Sequence, residues 1–448
     1  MALAEEVLMD LFKRGKARTP HRKNTAEMPA VRIPTPSSVL ISTSQHIGAP
    51  SVPVVKAGDK VYVGTLIAEA GGYVGSPIHS SVSGVVRGLE EFLTSSGKVL
   101  SAIRIDSDGE MTPDPAIAPP VITDFDSFSA AVRASGLVGL GGAGFPTSVK
   151  LDAQKRGLIK KIVINGAECE PYITSDTRTM LDDAEWVVKG IEYLLKFISA
   201  EEVIIGIEEN KPECISRLSA LLIDEPRAKV VKMPTEYPQG AEKILIYNTT
   251  GIVVPEGKLP ADVGCLVLNV TSVAFIAKYM ETGMPLVEKC VTVDGSAVTT
   301  PMNVIAPIGT AIGELINFAG GYKGEVGKVL YGGPMMGIAI YSTDDPIFKN
   351  TNAILALSPA ESRKPKPTAC IHCGRCVATC PMSLNPTVYA KALKLDDPVE
   401  KVARLEAAKI NLCIECGSCS YVCPANRPLV ENNKLSKAAV RAAQAEKK

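Results

Sequence analysis

Eight of the twelve cysteines lie between positions 370 and 423, in two runs of one pattern. Cys370, Cys373, Cys376 and Cys380, followed by Pro381, have the spacing C-x2-C-x2-C-x3-C-P, and Cys413, Cys416, Cys419 and Cys423, followed by Pro424, repeat it. In such a run three closely spaced thiolates clasp a [4Fe-4S] cube and the fourth cysteine ligates the other cube. That ligation pattern predicts one cluster on Cys370, Cys373, Cys376 and Cys423, and a second on Cys413, Cys416, Cys419 and Cys380. Gly374 and Gly417 occupy the same offset in each run, where a missing Cβ lets the backbone turn closely around a cube. Four cysteines also suit structural zinc, but a doubled run ending in proline matches the iron-sulfur pattern, and only four histidines exist to complete mixed zinc sites. Two adjacent one-electron centres make a wire, which requires a donor and an acceptor.

A second candidate is the glycine-rich stretch 136–147, with Gly139, Gly141, Gly142 and Gly144 ahead of Phe145 and Pro146. It contains a literal G-x-G-x-x-G, but a dinucleotide fingerprint needs a strand before it and a helix after it, and here a helical pattern precedes it. Glycines at this density still let backbone amides approach a phosphate or a flat ring, and a helix starting at Thr147 adds a favourable dipole. The bland alternative is a tight structural turn. The following strand ends in Asn165-Gly-Ala-Glu168-Cys-Glu170, an amide and two carboxylates where open α/β sheets bind ligands.

The elements that must position these groups read as several domains, as 448 residues lead one to expect. Residues 1–33 form a basic arm, with Lys13, Arg14, Lys16, Arg18, Arg22 and Lys23, expected to be solvated. Residues 34–107 carry short β-rich runs punctuated by glycine, a small all-β sandwich that resembles the barrel-sandwich fold of lipoyl and biotinyl carriers. It has no modified-lysine hairpin, so a structural domain is expected. A proline-rich linker follows over 108–120. Alternating helix and strand signals over 121–285 predict a parallel α/β sheet, with helices at 125–134, 182–199 and 212–223 and strands at 160–164, 203–207, 229–231 and 265–270. Residues 286–345 form a further compact unit, and a linker leads to the cysteine region, 360–432, whose insert 384–411 is helical. A charged tail, 433–448, completes the chain.

Lys plus Arg and Asp plus Glu are both 48, so nothing pulls the molecule toward nucleic acid. Apolar runs stop short of a membrane span, and the acidic residues Glu5, Glu6 and Asp10 do not suit a secretory signal. A cytoplasmic location is expected.

The glycine stretch and the INGAECEPYI segment together resemble the flavin and NADH site of the large flavoprotein subunit of respiratory NADH dehydrogenases. They resemble still more the RnfC family, the corresponding subunit of Rnf ferredoxin:NAD oxidoreductases. The resemblance runs from about residue 30, through an SLBB-like β-grasp unit with its YGGPMMG turn (331–337), to the paired cluster motifs. The respiratory flavoprotein has one such motif. It implies that Gly139, Gly141, Gly142 and Gly144 line FMN, with Lys150 near its phosphate and Asn165 and Asn269 at the flavin. Glu168 and Glu170 match acidic positions near flavin and nicotinamide, and Phe145 an aromatic that stacks on the nucleotide. In the run from Tyr237, which resembles YPQGGEK, Gly240 and Glu242 approach the cofactor, although Ala241 replaces a glycine; Leu140 stands where the respiratory enzymes have arginine. Cys169, Cys214, Cys265 and Cys290 read as ordinary small buried residues.

The implied activity is hydride exchange between NAD(H) and FMN, with single electrons passing through two [4Fe-4S] clusters, at the cytoplasmic face of the membrane and in contact with other Rnf subunits. The implied net direction is reduced ferredoxin to NAD, coupled to Na+ or H+ movement by those subunits. A related cobalamin reductase of propanediol metabolism is the alternative, but its barrel-sandwich unit is expected after the cluster region. A relay with a vestigial flavin site is a further reading.

Overall fold

A computed structural model describes residues 15–95 and 97–446. At its centre the strands Lys161–Gly166, Glu202–Glu208, Ala228–Met233 and Cys265–Asn269 form a parallel sheet. Their spatial order is third, second, first, fourth. Ile162, Ile164, Val203, Ile205, Leu266 and Leu268 pack on one face against the helices Phe125–Ala134, Ala184–Phe197 and Val270–Thr282. Val163, Met233, Cys265 and Val267 pack on the other face against the helix Glu242–Thr250. Burial on both faces is why these strands read as continuous apolar runs. The helix expected over 182–199 is Ala184–Phe197, and a helix the sequence reading did not include, Ser175–Asp182, precedes it across Asp183.

The preceding domain is a β-sandwich of two antiparallel sheets closed around Val39, Ile41, Ile67, Ile78, Ile103 and Ile105. A fourth sheet has six strands and carries the helix Ile312–Phe318. It reaches beyond the expected unit in both directions. Val31–Arg32 adds to one edge in parallel with Val304 and Ile305, and the fully buried Ala353–Leu357 lies in the middle of the sheet.

Two expectations are corrected here. The segment 15–33 is not a solvated arm: Ala17 exchanges backbone hydrogen bonds with Tyr237, Thr25 is fully buried, and Arg22 pairs with Glu361. Lys13 and Arg14 lie outside the described residues. The chain end is not a loose charged tail either, because Leu429–Glu446 is one helix that buries Leu429, Asn433, Ser436 and Val440. It packs on Pro386–Ala392 and Pro398–Ala407, the helices between the cysteine motifs. Among the described residues no helix is long and apolar enough to cross a membrane.

Candidate functional site

The strand order reverses between Lys161–Gly166 and Cys265–Asn269, and a crevice opens at the carboxyl ends of strands where such a reversal occurs. Asn165 and Asn269, the facing residues at those ends, are register partners. Asn165 donates to the Gly240 carbonyl at 2.9 Å. Asn269 caps the helix Val270–Thr282 by accepting from the amides of Thr271 and Ser272, and donates to Asp176 at 2.8 Å.

The glycine turn lies over this crevice. A Cβ on Gly141 would meet the Asn269 amide nitrogen at 2.4 Å, so only glycine lets the turn close onto the strand end. At Gly142 a Cβ would meet nothing within 4 Å, and residues 141–143 are exposed. The turn thus has one side against the sheet and one side open, a cradle that suits a flat ring or phosphate. Its frame comes from three domains. Leu140 donates its amide to Ser272, Ile47 to the Gly144 carbonyl, and Asn350 its side chain to the Gly142 carbonyl. Buried Lys349 donates to the carbonyls of Pro77 and Gly136, both at 2.7 Å, and burial pulls its ammonium down to about 7. Gly139 donates to the Phe145 carbonyl at 2.9 Å, which leaves Phe145 half-buried at the end of the turn. Lys150 pairs with Glu242 and donates to the Val267 carbonyl, at the same end of the sheet.

The acidic loop after Asn165 is held from within. Glu168 accepts from the amides of Asp176 and Thr177 and from the Thr177 hydroxyl, at the start of Ser175–Asp182. Glu170 accepts from the amides of Met335 at 3.0 Å and Met336 at 2.9 Å, in the YGGPMMG turn. A Cβ on Gly333 would strike the Glu170 carboxylate at 2.3 Å, which explains a glycine there. Burial pushes the Glu170 carboxyl up to about 7.

Two lysines, buried Lys211 and half-buried Lys23, staple the loop's carbonyls. Lys211 donates to Ala167 at 2.7 Å, and Lys23 donates to Glu168, Glu170 and Ile173 at 2.7, 3.0 and 2.6 Å. Burial pulls the Lys23 ammonium down to about 8. Sequence reasoning placed Lys23 in a free arm. Its partners lie some 145 residues away, and the only available signal was a lysine within a short basic run.

The two cysteine motifs interleave. Cys413, Cys416, Cys419 and Cys380 line one cavity, although Cys380 belongs to the first motif. The Cys419 thiol is pushed up to about 12 by burial and by the neighbouring Cys416, Cys413 and Cys380. Cys376 lies beside Cys423 and Cys373. In each group a thiol of one motif stands with thiols of the other. Among the described residues no three His, Cys, Asp or Glu side chains are set to hold a single metal ion. Four thiols lining one cavity, Cys380, Cys413, Cys416 and Cys419, are the donor set of a cube whose irons each take a different thiolate. Gly374 and Gly417 both have positive φ, 74° and 79°, and a Cβ on Gly417 would meet the Met335 carbonyl at 2.7 Å.

One cysteine loop is therefore joined to the crevice at the strand ends. Tyr237 is 1% exposed and donates its hydroxyl to the Cys416 carbonyl at 2.7 Å, while Glu170 lies beside the same hydroxyl. Asn433, on the helix read as a tail, donates toward the Cys413 sulfur at 3.4 Å and the Cys419 sulfur at 4.0 Å. Neither Tyr237 nor Asn433 carries a sequence signal for these contacts beyond its hydrogen-bonding chemistry.

A glycine-turn crevice joined to interleaved cysteine loops defines a flavin and iron-sulfur electron-transfer protein. Family models agree: the RnfC barrel sandwich hybrid domain matches residues 11–110, the Nuo51 FMN-binding domain 132–278, the SLBB domain 290–339 and the 4Fe-4S dicluster domain 366–427. Similar proteins include a subunit of the Na+-translocating ferredoxin:NAD+ oxidoreductase complex of Acetobacterium woodii, 42% identical over 84% of this chain and 86% of that one. Its proton-translocating counterpart in Clostridium ljungdahlii is 39% identical over 86% of this chain and 84% of its own length. The corresponding subunit of the ion-translocating oxidoreductase complex of Rhodobacter capsulatus is 38% identical over 95% of this chain and 82% of that one. Among solved structures, a chain of an NAD+-reducing [NiFe]-hydrogenase covers 71% of this chain, and 61% of itself, at 18% identity and a TM-score of 0.49. The chain belongs to the RnfC family, the subunits of the ion-translocating ferredoxin:NAD+ oxidoreductase, or Rnf, complexes that carry these four domains.

Proposed function

We propose that the chain exchanges hydride between NAD(H) and FMN and passes single electrons through two [4Fe-4S] clusters, as the peripheral NADH-side subunit of an Rnf complex. Its relatives are named as parts of ion-translocating complexes, so the partners are the other Rnf subunits, at the cytoplasmic face of a membrane. FMN supplies the chemistry that divides a hydride's two electrons into single ones, and the clusters carry those onward.

The residues contribute orientation. Gly139, Gly141, Gly142 and Gly144 would line the flavin site, over a floor fixed by Asn165 and Asn269. Phe145 would offer its ring to the nucleotide. Glu168 caps a helix and is spent on that contact, whereas Glu170 takes one amide on each oxygen, which leaves each a further lone pair for a ligand. Lys150, Gly240 and Glu242 gather at the same strand ends. The four residues Cys413, Cys416, Cys419 and Cys380 hold the cluster nearer the flavin, and Cys370, Cys373, Cys376 and Cys423 hold the outer one.

The observation that carries this reading is the Tyr237 and Met335 contact with the 413–419 loop, which joins the glycine-turn crevice to one cluster cavity. The barrel-sandwich match precedes the FMN match, the order of the Rnf subunit and not that expected of the cobalamin reductase.

The test is anaerobic. The full chain is reconstituted with iron and sulfide, iron and extracted FMN are quantified, and NADH is added while the flavin band and the cluster EPR signal are followed. About eight irons and one FMN, with electrons reaching the clusters, support the reading. Iron without FMN, and no response to NADH, makes the chain a relay only.

A further inference from the structure

The segment 15–26 runs from the cysteine loops to the acidic loop and is fixed at both ends. Gly15 lies against Cys380 and Pro381, where a Cβ would meet the Pro381 Cα at 2.8 Å. The Thr379 hydroxyl donates to the Lys16 carbonyl at 3.0 Å, Ala17 and Tyr237 exchange backbone bonds, and the Tyr421 hydroxyl donates to the Arg18 carbonyl at 3.3 Å. At the other end Thr25 is fully buried beside Thr174, its carbonyl accepts from the Asn303 side chain at 3.1 Å, and Arg178 donates to the Ala26 carbonyl at 2.8 Å. Lys23 projects from between these anchors.

Lys23 and the acidic loop are matched group for group. An ammonium has three N–H donors, and the carbonyls of Glu168, Glu170 and Ile173 lie 2.7, 3.0 and 2.6 Å from its Nζ. The loop needs such a hold. Glu168 and Tyr172 both have positive φ, 47° and 71°, a backbone region that residues other than glycine occupy at a cost and keep only where their surroundings fix it. Glu170, between them, is gripped twice: its carboxylate by the amides of Met335 and Met336, its carbonyl by Lys23. The ammonium faces Glu168, Cys169 and Glu170 on the loop and Glu208 and Lys211 beyond it. Neutral lysine keeps two N–H groups, so loss of the proton leaves one of the three carbonyls without a donor.

Glu170 belongs to the nicotinamide side of the proposed function, on which this inference rests. We propose that Lys23 is a positioning residue for NADH, whose ammonium fixes the backbone of the acidic loop so that the Glu170 carboxylate is set for the dinucleotide. Lys23 acts through the loop's three carbonyls, and the anchors at Ala17 and Thr25 keep it there. Without the ammonium those carbonyls face one another unpaired, the left-handed turns at Glu168 and Tyr172 lose their support, and Glu170 is held by its carboxylate alone. The cost falls on binding of the dinucleotide, because the flavin floor at Asn165 and Asn269 is fixed by other partners.

The experiment uses the full chain reconstituted with FMN, iron and sulfide, as wild type, Lys23→Met and Lys23→Arg, and follows NADH-driven ferricyanide reduction from about pH 7.5 to about pH 9.5. Burial pulls the Lys23 ammonium down to about 8, so it loses its proton within this range. The wild-type KM for NADH should rise about tenfold across it, while kcat changes by less than about twofold. In Lys23→Met the KM should be about tenfold higher at the lowest pH and should not rise further. In Lys23→Arg, whose guanidinium keeps its charge, the rise should also be absent. A merely structural lysine would not carry this limb. A flat wild-type KM, or a rise that persists in both variants, overturns the proposal, as does a Lys23→Met protein that loses FMN and activity in proportion at unchanged KM. The wild-type and Lys23→Arg profiles test it even if Lys23→Met does not fold. FMN per chain and bleaching of the wild-type flavin by NADH are read first: failure there overturns the proposed function, whereas normal bleaching without the limb overturns this inference alone.

Discussion

Tyr237 donates its hydroxyl to the carbonyl of Cys416 at 2.7 Å, across 179 residues of sequence. This bond joins the loop at the flavin-side crevice to a loop that bears cluster thiols. Tyr237→Phe removes the donor and leaves a buried carbonyl without its partner, at a cost of about 1 to 3 kcal/mol. The variant should keep its iron and FMN and its NADH-driven reduction of ferricyanide, while transfer from NADH to the clusters slows. Rapid-freeze EPR against a flavin absorbance trace would check this. Equal slowing of both activities would mean that the bond serves folding alone.

Glu170 connects the acidic loop to the SLBB turn and has its carboxyl raised to about 7. Above its ordinary value near 4.5 the unfolded chain releases this proton, while the folded chain keeps it until about pH 7. The folded state therefore binds more protons over that window, and this group's contribution makes stability fall as pH rises from about 4.5 to about 7. Glu170→Gln removes the titration. Thermal midpoints taken across that range should show a shallower decline in the variant than in the wild type, and parallel curves would refute the assignment.

The parts of the site legible in the sequence were those whose chemistry is local. The cysteine spacings, the glycine turn and the strand ends at Asn165 and Asn269 each lie within a dozen residues, so residue type and interval suffice. The parts that were not legible depend on distant partners. Lys23 looks like any surface lysine until the loop at 168–173 closes around it. The helix Leu429–Glu446 looks like a charged tail because only a few residues, among them Leu429 and Val440, anchor it in the core. Helix Glu242–Thr250 carries Asn248, Thr249 and Thr250 in its last turn, which suit a turn as well as a helix. The strand Ala353–Leu357 was lost for a similar reason, since a five-residue apolar run between prolines has no period that assigns it to a sheet.

Gly141→Ala tests the glycine turn directly. The new methyl would lie 2.4 Å from the Asn269 amide and 2.9 Å from its Cγ, closer than any Cβ contact tolerates, so either the turn or Asn269 must move. Movement of Asn269 also breaks its bond to Asp176. The expected outcome is a loss of about tenfold or more in FMN affinity, of the order of one lost hydrogen bond plus strain, with iron content unchanged. Flavin released per chain, measured beside iron per chain, separates this from unfolding. A variant that retains full FMN would place the flavin elsewhere than over this turn.

Asn433 carries the last prediction because it links the chain's final helix to redox chemistry. Its side-chain nitrogen donates toward the Cys413 sulfur at 3.4 Å and the Cys419 sulfur at 4.0 Å. Hydrogen bonds to cluster sulfurs are one of the factors that set reduction potential. Reduction adds negative charge to the cluster and its thiolates, so a donor at this position favours the reduced form and raises the potential. Asn433→Leu keeps the volume and removes the donor. If the bond is stronger in the reduced state by about 1 kcal/mol, the potential of that cluster should drop by about 40 mV for one electron. The outer cluster, whose cysteines Asn433 does not approach, should keep its potential. An EPR-monitored redox titration resolves the two centres. A shift in the outer cluster instead would reverse the assignment of Cys413 and Cys419 to the flavin-side centre, and equal shifts in both would mean that the helix acts through packing and not through the sulfur contact.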